Sequence, residues 1–414
     1  MRKVIFTITV LLLFIAHSNS QGWFQQNSNV GFNVKSVYFA DSNTGYAVGD
    51  TLGAILKTTN GGINWMKLAA PTSLGMSTVF FLNSNTGFIG GGAGGSACIN
   101  KTTNGGLIWL LTFPNPIQYV YSIYFIDAST GIAVTGAYSI SGGFIFRTTN
   151  GGTNWNGVGG FGNAFYSVYF ADANTGYACG TPGIIVKSTN GGVNWVQLTS
   201  NTTTNLRSIY FVNPQTGWTV GTNSRVYKTT NGGSTWVDLS SNGLCGLHSV
   251  YFADALTGWV AGCEGSIHRT TNGGTNWTMQ SFATTTYLYS LSFFNAFTGW
   301  AVGANGRILK TTTGGLTPIT PISTEIPDGY ILYQNYPNPF NPMTNIKFQI
   351  PKSGFVNMIV YDILGKEIAT LVNEELKPGT YEVNWDGSGF TSGVYYYKLV
   401  ADDYTETRKM VLLK

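Results

Sequence analysis

Short apolar and aromatic runs, alternating with polar residues and broken by Gly, Asn and Asp, recur along most of this chain. One stretch reads Ser167-Val-Tyr-Phe170, a turn from Asp172 to Gly176, Tyr177-Ala-Cys-Gly180, Ile184 to Lys187, then Trp195 to Leu198. Alternation with turn formers at the breaks predicts four short strands, A to D, and no later stretch carries a helical period. Strands C and D are joined by Asn-Gly-Gly, whose glycines take positive backbone dihedrals without a Cβ clash, as a tight hairpin requires.

The same pattern returns with Thr-Asn-Gly-Gly-x-x-Trp phrases ending at Trp65, Trp109, Trp155, Trp195, Trp236 and Trp277, and a seventh copy stops at Thr313-Gly314-Gly315 without a tryptophan. From Gly192 through Gly233 and Gly274 to Gly315 the step is constant at 41 residues. A period near 40 with four strands per unit predicts an all-β fold, a seven-bladed β-propeller. At the other end of the chain Trp23-Phe24-Gln25-Gln26 imitates Trp65-Met66-Lys67-Leu68. That likeness predicts an N-terminal strand that completes blade seven and leaves no open sheet edge.

The flanks differ in character. Residues 1–20 place Arg2-Lys3 before an apolar run from Val4 to Ala16 and small residues at Ser18 and Ser20, the pattern of a secretory signal peptide. No later run reaches the roughly 18 apolar residues of a membrane helix, so no transmembrane segment is expected in the mature protein. The propeller is expected over 21–317. Residues 318–329 turn to Thr, Pro and Ile, a linker composition, and 330–414 are long enough for a small β-sandwich. Its strands are expected at Thr344 to Ile350, Val356 to Ile363, Glu367 to Val372, Thr380 to Trp385, Val394 to Ala401 and Thr405 to Leu413.

Charge is sparse and uneven. Residues 21–317 hold 12 Lys/Arg and 7 Asp/Glu, whereas 330–414 hold 8 and 9. A propeller surface of Asn, Thr, Ser and Gly suits hydrogen bonding, and nucleic acid is not an expected partner. Of the 4 cysteines, Cys245 and Cys263 fall in the D–A and B–C loops of unit six, where an oxidising export route would let them pair. Cys98 and Cys179 replace small core residues in separate blades.

Two stretches resemble known families. Residues 330–414 resemble the type A C-terminal sorting domain of the type IX secretion system, through Tyr333-Gln-Asn-Tyr-Pro-Asn-Pro-Phe-Asn-Pro342, Val360-Tyr-Asp-Ile-Leu-Gly-Lys-Glu367, Trp385-Asp-Gly387, Ser392-Gly-Val-Tyr-Tyr-Tyr-Lys398 and Lys409-Met-Val-Leu-Leu-Lys414. That resemblance implies an Ig-like sandwich, a Gram-negative host, export through the periplasm to the surface or the medium, the type IX machinery as partner, and removal of the domain near the linker. Residues 22–317 resemble the Asp-box propellers, most of all the photosystem II stability/assembly factor family. The chain departs by placing Asn where that box has Asp, at Asn60, Asn104, Asn150, Asn190, Asn231 and Asn272. Asn keeps the hairpin role because it too tolerates the left-handed region. A chain addressed outside the cell does not inherit the photosynthetic role.

Catalytic signatures do not emerge. Sialidases share the Asp-box, but the arginine cluster, nucleophile and acid they need leave no local signature here. Asp41, Asp127, Asp172 and Asp254, with Asn83, Asn213 and Asn295 in the remaining units, recur at one A–B turn position and read as turn caps rather than calcium ligands. No metal spacing, phosphate loop or nucleophile elbow is present, so no cofactor and no metal are expected. The D–A and B–C loops vary between units, which marks their end of the disk as the binding face. On that face Lys35, Tyr121, Tyr166, Arg207, His248 and Tyr289 precede the strand A serine, and Arg225 and Arg307 open strand C. Lys35, Arg207, Arg225, His248 and Arg307 are expected to form a basic sector for an anionic partner. The resulting expectation is an exported, non-catalytic binding or adhesion module for an extracellular glycan or protein. The alternatives are a secreted glycan hydrolase, with Asp50 and Glu264 as its only evident carboxylates, and an envelope assembly factor with a protein client.

Overall fold

The structure, a computed structural model, describes residues 22–51, 54–93, 96–115, 119–136, 142–241, 243–281, 285–316, 319–387 and 390–413. The expected signal peptide lies outside the described residues. Seven four-stranded antiparallel sheets follow one another along the chain. Blade one is Val34–Phe39, Gly45–Gly49, Ile55–Thr58 and Met66–Leu68. Blade seven takes Leu288–Phe293, Gly299–Gly303 and Ile308–Thr311 from the end of the array and Phe24–Gln26 from its start, with Phe24 opposite Lys310 and Gln26 opposite Ile308.

Aromatic packing explains the repeat. The phenylalanine ending strand A is stacked by the strand B aromatic of the preceding blade, except at Phe170, where Ile132 takes that place, and is met edge-on by the tryptophan of its own blade. Phe39 lies 3.4 Å from Trp300 in a parallel stack and 5.9 Å from Trp65 at 87°. Phe211 stands 3.7 Å from Tyr177 and 6.1 Å from Trp236. The edge-on contacts suit the ring quadrupoles, while the close parallel stacks bury large flat apolar surfaces between blades. The same ring dictates the glycine opening strand B: a Cβ on Gly45 would stand 2.5 Å from the Phe39 ring.

Blades are also riveted by polar groups. Lys57 Nζ and Tyr46 Oη both donate to the Gly105 carbonyl of the next blade, at 2.8 and 3.1 Å. Lys101 Nζ reaches Gly151 O at 2.7 Å, Arg147 Nε reaches Gly191 O at 2.9 Å, and Lys187 Nζ reaches Gly232 O at 2.8 Å. Lys228, Arg269 and Lys310 hold the matching strand C positions, over Trp218, Trp259 and Trp300. Those indoles donate to Gly273, Gly314 and Gly61 carbonyls at 3.0, 2.9 and 3.2 Å. The Gly-Gly turn is therefore both a hairpin and an acceptor for the neighbouring blade. Nearer the axis, strand A hydroxyls stitch adjacent blades, as where Val79 N–H donates to Ser36 Oγ at 3.3 Å and Leu291 N–H to Ser249 Oγ at 3.0 Å.

The C-terminal unit is a sandwich of two four-stranded sheets. One contains Thr320–Ser323, Gly379–Asp386, Met343–Ile350 and Ile331–Leu332; the other contains Glu367–Leu376, Gly354–Tyr361, Gly393–Ala401 and Tyr404–Leu412. Alternate residues such as Ile346, Phe348, Val356, Met358, Tyr397 and Leu399 fill its core. Tyr397 Oη donates to Tyr333 O at 2.7 Å and accepts from Asn335 N–H at 2.8 Å, anchoring the Tyr-Gln-Asn-Tyr segment to the sheet. The Thr/Pro segment expected as linker instead contributes Thr320–Ser323 as an edge strand, Thr320 opposite Glu382. Edge position tolerates Pro321 because a missing N–H there breaks no interior ladder. Between the units Thr278 Oγ1 donates to Ile368 O at 3.0 Å. Among the described residues no helix is long and apolar enough to cross a membrane.

Candidate ligand-binding site

Every inner strand carries a β-bulge at the same place. In blade one the register slips between Val34 and Ser36, and in blades two to seven between Met76 and Thr78, Val120 and Ser122, Phe165 and Ser167, Leu206 and Ser208, Leu247 and Ser249, and Leu288 and Ser290. The extra residues of these bulges are Lys35, Ser77, Tyr121, Tyr166, Arg207, His248 and Tyr289. A bulge re-aims its extra side chain out of the sheet pattern, and here it does so at the loop end of all seven innermost strands. Six of these positions match residues singled out in the sequence; Ser77 was missed because blade two puts a small residue there.

Contacts run from one of these side chains to the next. Tyr119 and Tyr121 have ring centroids 4.8 Å apart, and Tyr121 meets Tyr166 edge-on at 5.0 Å. The Arg207 guanidinium carbon stands 4.6 Å from the centroid of Tyr166. His248 meets Tyr289 edge-on at 5.4 Å, and Lys35 Nζ lies 3.8 Å above the Tyr289 ring. Lys35 also pairs with Asp50 Oδ2 at 3.4 Å, which accepts from Asn33 Nδ2 at 2.9 Å. Burial, reinforced by the positive charges of Arg207 and Lys35, pushes the His248 imidazole down to about 4. His248 is thus neutral near pH 7, between two cations.

The expected five-member basic sector does not hold together as drawn. Lys35, Arg207 and His248 share the inner mouth, but Arg225 and Arg307 open strand C, two strands farther from the axis. Arg225 Nη1 binds Asp238 Oδ2 at 2.7 Å on the outermost strand of its blade. Arg307 Nη1 donates to Gln25 Oε1 on the closing strand. Both therefore face outer-strand partners that the sequence pattern alone did not reveal.

Toward the hairpin end of the disk the axis is lined by aromatic rings. Tyr38, Phe80, Tyr124, Tyr169, Tyr210 and Tyr251 succeed one another at centroid spacings of 5.0, 5.5, 5.3, 4.6 and 5.0 Å. Burial raises the Tyr38 phenol, and the Tyr169 phenol three blades away raises it further. Cations and tyrosines thus share the loop end, and aromatic rings line the other.

The remaining candidates have structural partners. Asp127 Oδ1 accepts from Ser129 and Thr130 N–H, both at 2.7 Å, and these backbone donors, Thr130 first, hold its carboxyl below the usual range. Asp41, Asp172 and Asp254, and Asn83, Asn213 and Asn295, accept the same pair of N–H groups in their own turns. Cys245 and Cys263 are disulfide-bonded with Cα atoms 5.7 Å apart, joining the loop that leads to His248 to a neighbouring loop of the same blade. Cys98 and Cys179 are free thiols, both buried. Glu264 stands at φ 52° in the short 3₁₀ turn Cys263–Gly265, and Asp50 is held by Lys35 and Asn33.

The architecture defines a class: a seven-bladed β-propeller with a polar axial mouth, followed by a β-sandwich. Residues 334–413 match the secretion system C-terminal sorting domain, and residues 160–246 and 193–278 match the photosynthesis system II assembly factor YCF48. The chain therefore joins a YCF48-like propeller to a type IX sorting domain, and the sorting domain marks it for secretion or surface attachment in a Gram-negative bacterium. No curated protein matches it. Among solved structures, YCF48 bound to D1 peptide is 19% identical with a TM-score of 0.60, over 70% of this chain and 97% of that one. A GH74 enzyme of Niastella koreensis is 16% identical with a TM-score of 0.56, over 80% of this chain and 59% of that one. PorZ, a surface component of the type IX secretion system of Porphyromonas gingivalis, is 13% identical with a TM-score of 0.52, over 92% of this chain and 59% of that one. At these identities the likeness establishes the fold alone.

Proposed function

We propose that this exported propeller is a non-catalytic binding module that takes an extracellular glycan or protein at its axial mouth. The observation that carries the reading is the set of bulges that turns Lys35, Tyr121, Tyr166, Arg207, His248 and Tyr289 toward one end of the axis. Core packing has no need of cations and phenols there, whereas a mostly apolar recess with a few convergent polar groups is what ligand recognition uses. Hydrolysis of a glycan requires two carboxylates at working separation. Asp50 is already engaged by Lys35 and Asn33, which favours binding over cleavage. A glycan array run beside a pull-down from outer-membrane extract, with a sugar-release assay on each hit, tests the reading. A retained ligand without product is expected; released reducing sugar would sink it. Capture of one folding client and no glycan would favour an assembly role.

A further inference from the structure

Most cations of the propeller are committed. The strand C lysines and arginines lie between blades, Arg225 has Asp238, Lys35 has Asp50, and Arg307 has Gln25. Arg207 differs from the other cations of the mouth: among the described residues no carboxylate pairs with it, whereas Lys35 has Asp50, and its Nε, like those of Arg269 and Arg307, is buried without a hydrogen-bond partner. Its guanidinium lies over the Tyr166 ring, 4.6 Å from the centroid. Contact with the ring restrains the guanidinium, and its planar fork can bind a carboxylate through two parallel N–H donors. A lysine at this place would offer a point charge with no preferred plane.

The surroundings narrow the ligand further. Lys35 and Asp50 cancel each other, and His248 is neutral, so the mouth presents one net positive charge near pH 7. A single anionic group matches it better than a polyanion. Tyr121, Tyr166 and Tyr289 bring flat apolar rings with hydroxyl tips, which suits the apolar face and hydroxyls of a pyranose. The rings that line the axis from Tyr38 to Tyr251 lie at the opposite end, so a glycan reaches Arg207 from the loop end.

Building on the binding-module reading, we propose that Arg207 is the receptor for the carboxylate of a terminal uronic acid residue of an acidic glycan. The carboxylate lies across the guanidinium fork and the sugar ring rests among the mouth tyrosines. Arg225 and Arg307, farther out, take no part in holding it.

The test titrates the purified full-length chain with trigalacturonate and with its methyl ester, which keeps the sugar and removes the charge. Binding of the acid at least tenfold tighter than the ester is expected. Arg207→Ala should weaken the acid at least tenfold, Arg207→Lys by an intermediate factor, and Arg225→Ala by less than twofold, with thermal melts confirming that each variant is folded. Should Arg207→Ala not fold, the acid-to-ester ratio on the parent carries the test. Long polygalacturonate should compete per chain end rather than per residue. Equal binding of acid and ester, no binding of the acid, undiminished binding by a folded Arg207→Ala, or tighter binding of an N-acetylated tripeptide with a free carboxylate would each overturn the assignment. In any of these cases a ligand retained in the array or pull-down leaves the binding-module reading intact, whereas product release overturns that reading by itself.

Discussion

Trp23 meets Phe293 edge-on, with ring centroids 5.8 Å apart at 88°, the relation that Trp65 has with Phe39 at 5.9 Å and 87°. The two partners of the first pair lie at opposite ends of the propeller sequence, so blade seven is cored by a residue that the seventh repeat lacks. Trp23 is fully buried. Replacing it by Ala should cost about 3–5 kcal/mol, as for other buried large aromatic residues. Chemical denaturation would read this as a lower midpoint, and an unchanged midpoint would mean that the ring does not depend on its N-terminal strand.

Much of this fold was readable because the repeat writes the same physical problem seven times. The Gly before each strand B aromatic and the paired Gly of each hairpin stand where a Cβ would strike a ring or where φ is positive, as at Gly45, Gly61 and Gly62. Side chains with partners in another element were harder to read. Lys57 and Lys187 look like solvated charge in one dimension, yet each bonds a carbonyl more than forty residues away. Arg225 looked like part of a binding sector because Asp238 becomes its partner only through the strand C–D register. Thr320–Ser323 escaped because threonine and proline compose linkers as readily as edge strands.

The rivets make a direct prediction. Lys187 is partly buried over Tyr177, and desolvation lowers its pKa. Losing its charged hydrogen bond to Gly232 O should cost about 1–3 kcal/mol. Lys187→Ala is therefore expected to lower the melting temperature, while Lys67→Ala, at an exposed outer-strand position, should leave it unchanged. Equal effects would remove the distinction between structural and surface cations.

Thiol mapping checks the mouth from another side. Non-reducing digestion should release Cys245 and Cys263 in one linked peptide. Cys98 and Cys179, whose thiols burial pushes up to about 11 and about 12, should react with alkylating reagent only after denaturation. Replacing Cys245 and Cys263 by Ala is expected to cost about 3 kcal/mol, the scale for a loop of this length. A Cys98–Cys179 link would be incompatible with their places in blades two and four.

Truncation tests the division of labour between the two units. The sandwich takes up Thr320–Ser323, so a cut just before Ile319 is the clean one. The shortened chain should fold as a propeller with nearly the parent melting temperature and collect in the periplasm. Delivery to the medium at the parent level would show that residues 319–414 are dispensable for export.

Acid stability follows from the two described histidines. His268 is 4% exposed, and burial pushes its imidazole down to about 4, partly opposed by a hydrogen bond with the Gly243 backbone. His248 is likewise pushed down to about 4 by burial, then by Arg207 and Lys35, from an ordinary value of 6.5. Between those values the unfolded chain binds protons that the folded chain refuses, so stability rises with pH there. The stabilisation is complete above about pH 6.5, is lost as pH falls toward 4, and changes little further below that for these two groups. The shift at His268 corresponds to roughly 3 kcal/mol, and the more exposed His248 contributes less. Turn carboxylates such as Asp127, whose pKa is lowered, act in a separate and more acidic window. Denaturant midpoints measured from pH 7.5 to 4 should therefore decline for the parent and decline less steeply for His268→Gln. A parent curve flat across that interval would mean that both imidazoles titrate in the folded chain as they do in the unfolded one.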